Sequence, residues 1–471
     1  MYLIVQYFSL VDLAIFPACF LLLFLVIRGK ANRYKNNPRI KSLYFRAFNF
    51  KMICVFIFVL LTEFYFKGGD TGLYYQATQD LRAAIKADPA NFQLILETPK
   101  LTYKSPLFDY FYYDGYTGDL TYNYMISQAN FTPPKLALIP SYIFGNSYLC
   151  ISMVFGFFAL GGAIRLFKTF YHFYPKQYRE IALACLFLPS VCYWSSGLLK
   201  DPVTFGCTGY ITYAFLNIFI KKQKIVISFL LILICGFFLY VIKVYILLVL
   251  VLAILIWQFA EFNKLIENTT LRNVFTIMTF AGSIGIGLLL LNYMTSMESA
   301  QQYQLDKIMG NAEYQRKMYG DIAQQSGGTD SHFSINTSNP FLMVFGGISA
   351  TFYRPFIWEI NSPIALLSAM ESSVFLFLTL LFISKKGIKQ FFKVPFSEPI
   401  ILMCFIFAFV FAVAVGISSA NFGALSRYKI PCMPFYLIMI LLMYKKAGLA
   451  YPQWFNKVLD FAVPASRTKR L

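Results

Sequence analysis

Charge gathers in this chain where apolar runs end. Asp70 stands in "FKGGDTGLYYQA", directly after the apolar run "KMICVFIFVLLTEFYF". Lys200 and Asp201 close "PSVCYWSSGLLKD", and Lys243 interrupts "LYVIKVY". Arg354 and Glu359 sit in "FYRPFIWE", Arg427 and Lys429 in "NFGALSRYKIPCMP". Charge at a hydrocarbon edge is costly, so it is paired, snorkels to water, or has work to do. Several cations with one or two carboxylates suit a sugar carried on a lipid phosphate or pyrophosphate. Guanidinium forks match phosphate oxygens, and fixed cations stabilise the charge that grows on a leaving phosphate. A carboxylate across the sugar can deprotonate the acceptor hydroxyl. On that scheme Asp70 is the base, and Arg354, Arg427, Lys200, Lys243 and Lys429 hold the phosphate. Asp201, Glu359, Tyr74, Tyr75, Asp109 and His332 support the site or the acceptor.

Each residue has a structural alternative. Asp70 suits the N-cap of the helix that follows it, where Asp is favoured. Lys200 and Asp201 suit a local ion pair ahead of Pro202 at a first helical position. Lys243 suits a snorkelling lysine at a helix hairpin. Arg354 and Arg427 have Glu359 and Glu371 as partners, and His332 lies in a Ser/Asn-rich loop that water would solvate.

The elements that must position these residues follow from composition. The 471 residues are 58% hydrophobic and only 13% charged, with a mean hydropathy of +0.58, a balance outside the range of water-soluble domains. Apolar runs of about 17–25 residues, long enough to cross a bilayer, recur from end to end. They predict an all-α, polytopic bundle of about eleven spans, near 7–27, 51–66, 146–166, 180–198, 202–220, 225–242, 244–260, 274–294, 363–384, 399–418 and 430–444, in a single integral membrane domain over 1–471. The first run lacks a basic leader and a small-residue cleavage site, so it reads as a span. Basic segments such as 28–51, "KKQK" and "KKGIKQFFK" contain almost no acid, so the net charge of +19 reads as positive-inside bias and not as nucleic-acid binding. The bias puts the N-terminus outside and the C-terminus in the cytoplasm, with the charged junctions on the outer face of a bacterial inner membrane.

Two external loops are long, 67–145 and 295–362, and long loops are usually functional. The first carries Leu73, Ala77, Leu81, Ala84 and Ile85 at helical spacing, which predicts an amphipathic helix along the membrane surface. Its "YKSPLFDYFYYDGYTGDLTYNYMI" is dense in tyrosine and acid, a composition that grips sugars and also fits an interfacial aromatic belt. The second breaks at "SGG" and returns at "NPFLMVFGGISATFYRPFIWE", the pattern of a lid. The nine cysteines fall in or beside predicted spans without paired spacing, and read as packing residues. P-loop, GxGxxG and GxSxG signatures are absent, so work would come from a preloaded substrate or an ion gradient.

The acid heading a surface helix in "GGDTGLYYQA", the large first external loop and "WSSGLLKD" at the outer end of a later span resemble the GT-C superfamily of polytopic glycosyltransferases, including bacterial envelope polysaccharide polymerases. "RPFIWE" and "NFGALSRYKIP" resemble the Arg-containing outer junctions of bacterial sugar polymerases. The resemblance implies that Asp70 matches the family's acid in the first external loop, and that Arg354 and Arg427 are phosphate ligands. It implies a polyprenyl-phosphate-linked donor and an acceptor that is a glycan, a lipid or a protein. Two features depart from the family: a span precedes the one leading into Asp70, and "GDTG" has no neighbouring DxD or ExD acid. A divalent metal would therefore need a distant partner such as Asp109, Asp114, Asp119 or Glu359. A flippase for lipid-linked glycans and a non-catalytic envelope scaffold are the competing readings; midplane charge and internal repeats mark the former, and docking loops the latter.

Overall fold

The computed structural model describes residues 7–112, 123–268, 339–360, 363–419 and 421–464, with isolated positions between 270 and 335. Every element among them is a helix. The first is α1 (Leu10–Ala31), capped by Ser9 and Asp12 in a reciprocal capping box, which satisfies two orphan amides at the helix start. Then come α2 (Pro38–Leu61), α3 (Asp70–Ala87), α4 (Asn91–Glu97), α5 (Phe108–Tyr112), α6 (Gln128–Ile143) and α7 (Tyr148–Phe173). The chain continues through α8 (Tyr178–Leu186), α9 (Pro189–Trp194), α10 (Lys200–Phe215) and α11 (Ile225–Asn263). After the gap stand α12 (Pro340–Tyr353), α13 (Pro363–Lys386), α14 (Ile388–Lys393), α15 (Pro399–Ser418), α16 (Phe422–Tyr428), α17 (Met433–Lys446) and α18 (Gln453–Ala462). Among the described residues, seven helices are long and apolar enough to cross a membrane, or eight if the pair α16 and α17, bent by 69°, is one span.

Several spans differ from the hydropathy reading. The second begins at Pro38, not at residue 51, because Asn37 caps the helix and proline suits its first position. The run at 180–198 is not continuous: α8 and α9 are short, and residues 195–199 are not helical. The spans at 225–242 and 244–260 belong to α11, broken at Lys243, whose φ of −150° and ψ of 77° leave the helical region. Residues 340–353, read as part of an external loop, form an apolar helix. Most of the span at 274–294 and of the loop at 295–338 lies outside the described residues.

The chain divides into two compact units. Unit 1 comprises residues 1–165, 192–210 and 232–243, and unit 2 the remainder. In unit 1, α1 packs on α2 and α3 packs on α6. The interior face of α2 carries Tyr44, Phe48, Lys51, Val55 and Phe58, spaced alternately by four and three residues and all buried, the repeat of one helical face. In unit 2, α15 is the hub and packs on α12 and α17, while α17 also meets α8 and α13. Gly347 and Gly416 make the α12–α15 crossing close, since a Cβ on Gly416 would collide with the Gly347 backbone. All nine cysteines are buried and free, as packing residues should be.

Candidate functional site

In unit 1 the site is built around the first turn of α3. Lys67, Gly68 and Gly69 all have positive φ (51°, 118° and 69°), a sharp reversal that glycine adopts at least cost. The N-cap is Gly69, without a side-chain capping bond. The expected Asp70 cap is therefore corrected: Asp70 is the first helical residue, half-buried, where the helix dipole favours a carboxylate. One turn on, on the same face, Tyr74 is fully buried and its hydroxyl donates to Asn130 Oδ1 at 3.2 Å. Lys200 Nζ donates to the same oxygen at 2.8 Å. Asn130 is held in turn by its Nδ2, which donates to the Tyr124 carbonyl at 2.9 Å. A phenol and an ammonium group thus share one amide oxygen, with Asp70 one helical turn before the phenol.

The neighbouring positions are held by buried contacts. Thr71 and Tyr148 share a hydroxyl hydrogen bond of 2.6 Å, and Tyr75 donates to the Asn146 carbonyl at 2.8 Å. Tyr7, Tyr75 and Tyr148 form a three-ring cluster with centroids 5.2–6.1 Å apart. Burial pushes the Tyr75 hydroxyl well above the ordinary phenol range, so it remains a donor at neutral pH. Tyr7 is fixed by its own backbone, whose N–H donates to Glu63 Oε2 at 2.6 Å. α3 does not present its apolar face to a membrane surface alone: Ala77, Leu81 and Ala84 are fully buried and the helix packs on α6. Asp109 lies exposed in the first turn of α5.

Lys200 is placed by the break before it. Residues 195–199 form turns and bends, not regular helix, between α9 and α10, and Lys51 Nζ enters the gap. It donates to the Cys192 carbonyl at 2.8 Å, the Ser195 carbonyl at 2.6 Å and Ser195 Oγ at 2.6 Å. In hydrocarbon a freed carbonyl must find an internal partner, and here a lysine supplies it. Lys51 was read as the last residue of a cytoplasmic basic segment, whereas it is 3% exposed inside α2. Asp201 and Lys243 also differ from their expected local roles. They form a buried ion pair of 2.6 Å, with side chains 2% and 7% exposed, so Lys243 does not snorkel and Asp201 reaches beyond its sequence neighbour. The pair ties the start of α10 to the break in α11.

In unit 2 the charges are engaged with one another. Arg354 Nε contacts both carboxylate oxygens of Glu359 at 3.0 and 3.1 Å, and its Nη2 donates to Oε1. The guanidinium carbon lies 4.8 Å from the Phe333 ring centroid and 5.2 Å from that of Phe422, within cation–π range. Lys429 is 1% exposed and donates to the Arg354 carbonyl at 3.0 Å and Ser372 Oγ at 3.2 Å. It is therefore not an outward-facing ligand. Arg427 stands half-buried in the last turn of α16. Glu371, on α13, accepts from the Ser190 backbone N–H at 2.7 Å and from its hydroxyl, at the first turn of α9, where a carboxylate meets orphan amides. His332, Asp114 and Asp119 lie outside the described residues. Among those described, no group of three or more His, Cys, Asp or Glu stands together as a metal site.

Asp70, Tyr74, Tyr75, Lys200, Asp201 and Lys243 thus belong to unit 1, and Arg354, Glu359, Arg427 and Lys429 to unit 2. Sequence reasoning missed Asn130, Lys51 and Tyr7. For Lys51 a signal existed: it falls on the four-three repeat of aromatic and aliphatic residues on α2, where a solvated lysine does not belong. In comparison with known proteins, the chain matches no family model, no curated protein and no solved structure.

Proposed function

We propose that the chain is a membrane glycosyltransferase that moves a sugar or oligosaccharide from a polyprenyl-phosphate-linked donor to a glycan, lipid or protein acceptor on the outer side of a bacterial inner membrane. The observation that carries this reading is the cluster at the head of α3. Asp70 lies one helical turn before Tyr74, whose hydroxyl shares the Asn130 oxygen with Lys200. A carboxylate in the first turn of α3, and a lysine on the amide that Tyr74 of the same helix face contacts, are groups that a glycosyl transfer needs. Asp70 takes the acceptor proton, the acceptor oxygen attacks the anomeric carbon, and the bond to phosphate breaks with its electron pair passing to the phosphate oxygen. Lys200 offers that oxygen a cation, while Tyr74 and Asn130 orient the two groups. Asp201 and Lys243, neutralised by each other, position Lys200 through the start of α10. In unit 2, Arg354 would serve as a phosphate ligand by exchanging the Glu359 carboxylate for phosphate, a swap between two anions that suit the same fork.

A transporter or flippase of the same lipid-linked glycan is the second reading, favoured by the buried Lys51, Lys243 and Glu371 within apolar helices and Lys429 at the bend between α16 and α17, since ionisable groups in spans often mark pathways. Purified protein given a polyprenyl-diphosphate-linked glycan and a panel of acceptors distinguishes the two. The enzyme yields a glycosylated product and free lipid diphosphate, and Asp70→Asn abolishes both while the unfolding midpoint is preserved. Full turnover by Asp70→Asn removes the base from the scheme. Movement of the glycan across vesicles without bond cleavage establishes the transporter.

A further inference from the structure

The basic connection between α1 and α2 takes no part in the proposed chemistry, and its geometry has a use of its own. Residues 28–46 contain seven Lys and Arg, and no Asp or Glu occurs between Asp12 and Glu63. Three cations come together there from two distant parts of the chain: Lys30, at the end of α1, lies within electrostatic reach of Arg33 and of Arg165 on α7. Packing aims them. The Arg165 guanidinium lies 4.2 Å from the Tyr210 ring centroid and donates to the Gly161 carbonyl at 3.1 Å, while Lys30 Nζ stands 5.6 Å from the Phe157 ring. The helix that carries Lys30 is open to lipid, with only 22% of its apolar window buried. Leu22, Val26, Lys30 and Arg33 follow one another at four- and three-residue steps and share a face. Leu22 is 50% exposed and Val26 40%. One stripe therefore runs from bare hydrocarbon side chains into a cluster of cations. The nearest acid along α1, Asp12, is eighteen residues away from Lys30, about 27 Å along the helix axis.

We propose that this stripe is a binding site for an anionic phospholipid, with the acyl chain along Leu22, Leu25 and Val26 and the phosphate headgroup held by Lys30, Arg33 and Arg165. Bringing like charges together costs energy that a phosphate recovers, and the guanidinium groups present paired donors to its oxygens. The apolar stripe selects a lipid over a free anion, and basic clusters beside spans on the cytoplasmic side recognise anionic headgroups by this chemistry.

The test uses the full chain in an uncharged detergent, titrated with short-chain phosphatidylglycerol, with phosphatidylcholine of the same chain length, and with inorganic phosphate. Phosphatidylglycerol raises the unfolding midpoint at low concentration, and the other two do not. Since each cation near an anionic surface is worth about fivefold, the variant Lys30→Gln/Arg33→Gln/Arg165→Gln shifts half-saturation by on the order of a hundredfold. Lys86→Gln, at the end of α3, leaves it unchanged. Added salt weakens the effect by screening. An equal response to phosphatidylcholine would mean an apolar groove only, an equal response to phosphate a free-anion site, and an unaltered triple variant a site elsewhere; each overturns the proposal. Should the triple variant not fold, the exposed Arg33→Gln alone is expected to shift half-saturation about fivefold, and no shift again overturns it.

Discussion

Gly72 is expected to be bound to glycine by a residue sixty-five positions away. In an exposed helix, replacing glycine by alanine stabilises by roughly 0.5–1 kcal/mol, because alanine loses less backbone freedom on folding. At position 72 the added methyl meets Tyr7 instead: its Cβ would fall inside the van der Waals shell of the Tyr7 hydroxyl and 3.2 Å from Cζ. The ring has little room to withdraw, because it is packed against Tyr75 and Tyr148 and its backbone is tied to Glu63. Overpacking of this kind costs about 1–3 kcal/mol, so Gly72→Ala destabilises unit 1 by about 1–2 kcal/mol after its propensity gain. Tyr7→Phe removes the offending oxygen. On that background only ring carbon, at 3.2 Å, remains against the added methyl, so the same alanine costs about 1 kcal/mol less than in the wild type, a coupling that additive sites do not show. The assay is a double-mutant cycle read from denaturant unfolding in mixed micelles, followed on tryptophan fluorescence. A cycle that closes within about 0.5 kcal/mol would refute the contact between Tyr7 and the first turn of α3.

Two further outcomes follow from buried charge. Asp201→Asn strands the Lys243 ammonium against a neutral partner in a site where both side chains are nearly inaccessible. Removing one member of such a pair costs about 3–5 kcal/mol, whereas Asp201→Asn/Lys243→Met recovers most of the loss; equal unfolding midpoints for the single and double variants would contradict the pairing. Lys135, on α6, donates to the Thr98 carbonyl and lies 4.6 Å from the Phe131 ring, and burial pushes its ammonium down to about 8 from the ordinary 10.5. Between those values the unfolded chain binds more protons than the folded one, so this residue makes stability rise with pH through that window. Below about pH 8 both states are protonated and the fold carries the cost of the buried charge. Stability curves of wild type and Lys135→Met from pH 7 to 11 are expected to diverge for this reason, with the rise flattened in the variant, and parallel curves would count against it.

The fold was legible where hydropathy alone decides. The eighteen apolar residues between Pro399 and Ser418 are long enough to cross a bilayer, and α15 coincides with them. The departures occur where a polar group is satisfied by something remote in sequence. Residues 195–199 escape a windowed average because leucine, tryptophan and cysteine surround them, and the lysine that meets their carbonyls is more than 140 positions away. Lys51 itself counts as cytoplasmic when charge is summed by segment, yet it stands thirteen residues inside a helix that begins at Pro38, about 20 Å along the axis. The candidate site shows the same division. Asp70, Tyr74 and Lys200 could be chosen by residue type at the ends of apolar runs, but Asn130, which joins two of them, carries no signal in its own neighbourhood. Unit 2 inverts the lesson, since Arg354 and Glu359 are five residues apart and meet as a fork, the structural alternative their spacing had offered. A phosphate ligand that begins with a carboxylate in its grip binds only by displacing it. The strength of the Arg354–Glu359 contact therefore sets a threshold on any anion that Arg354 would hold.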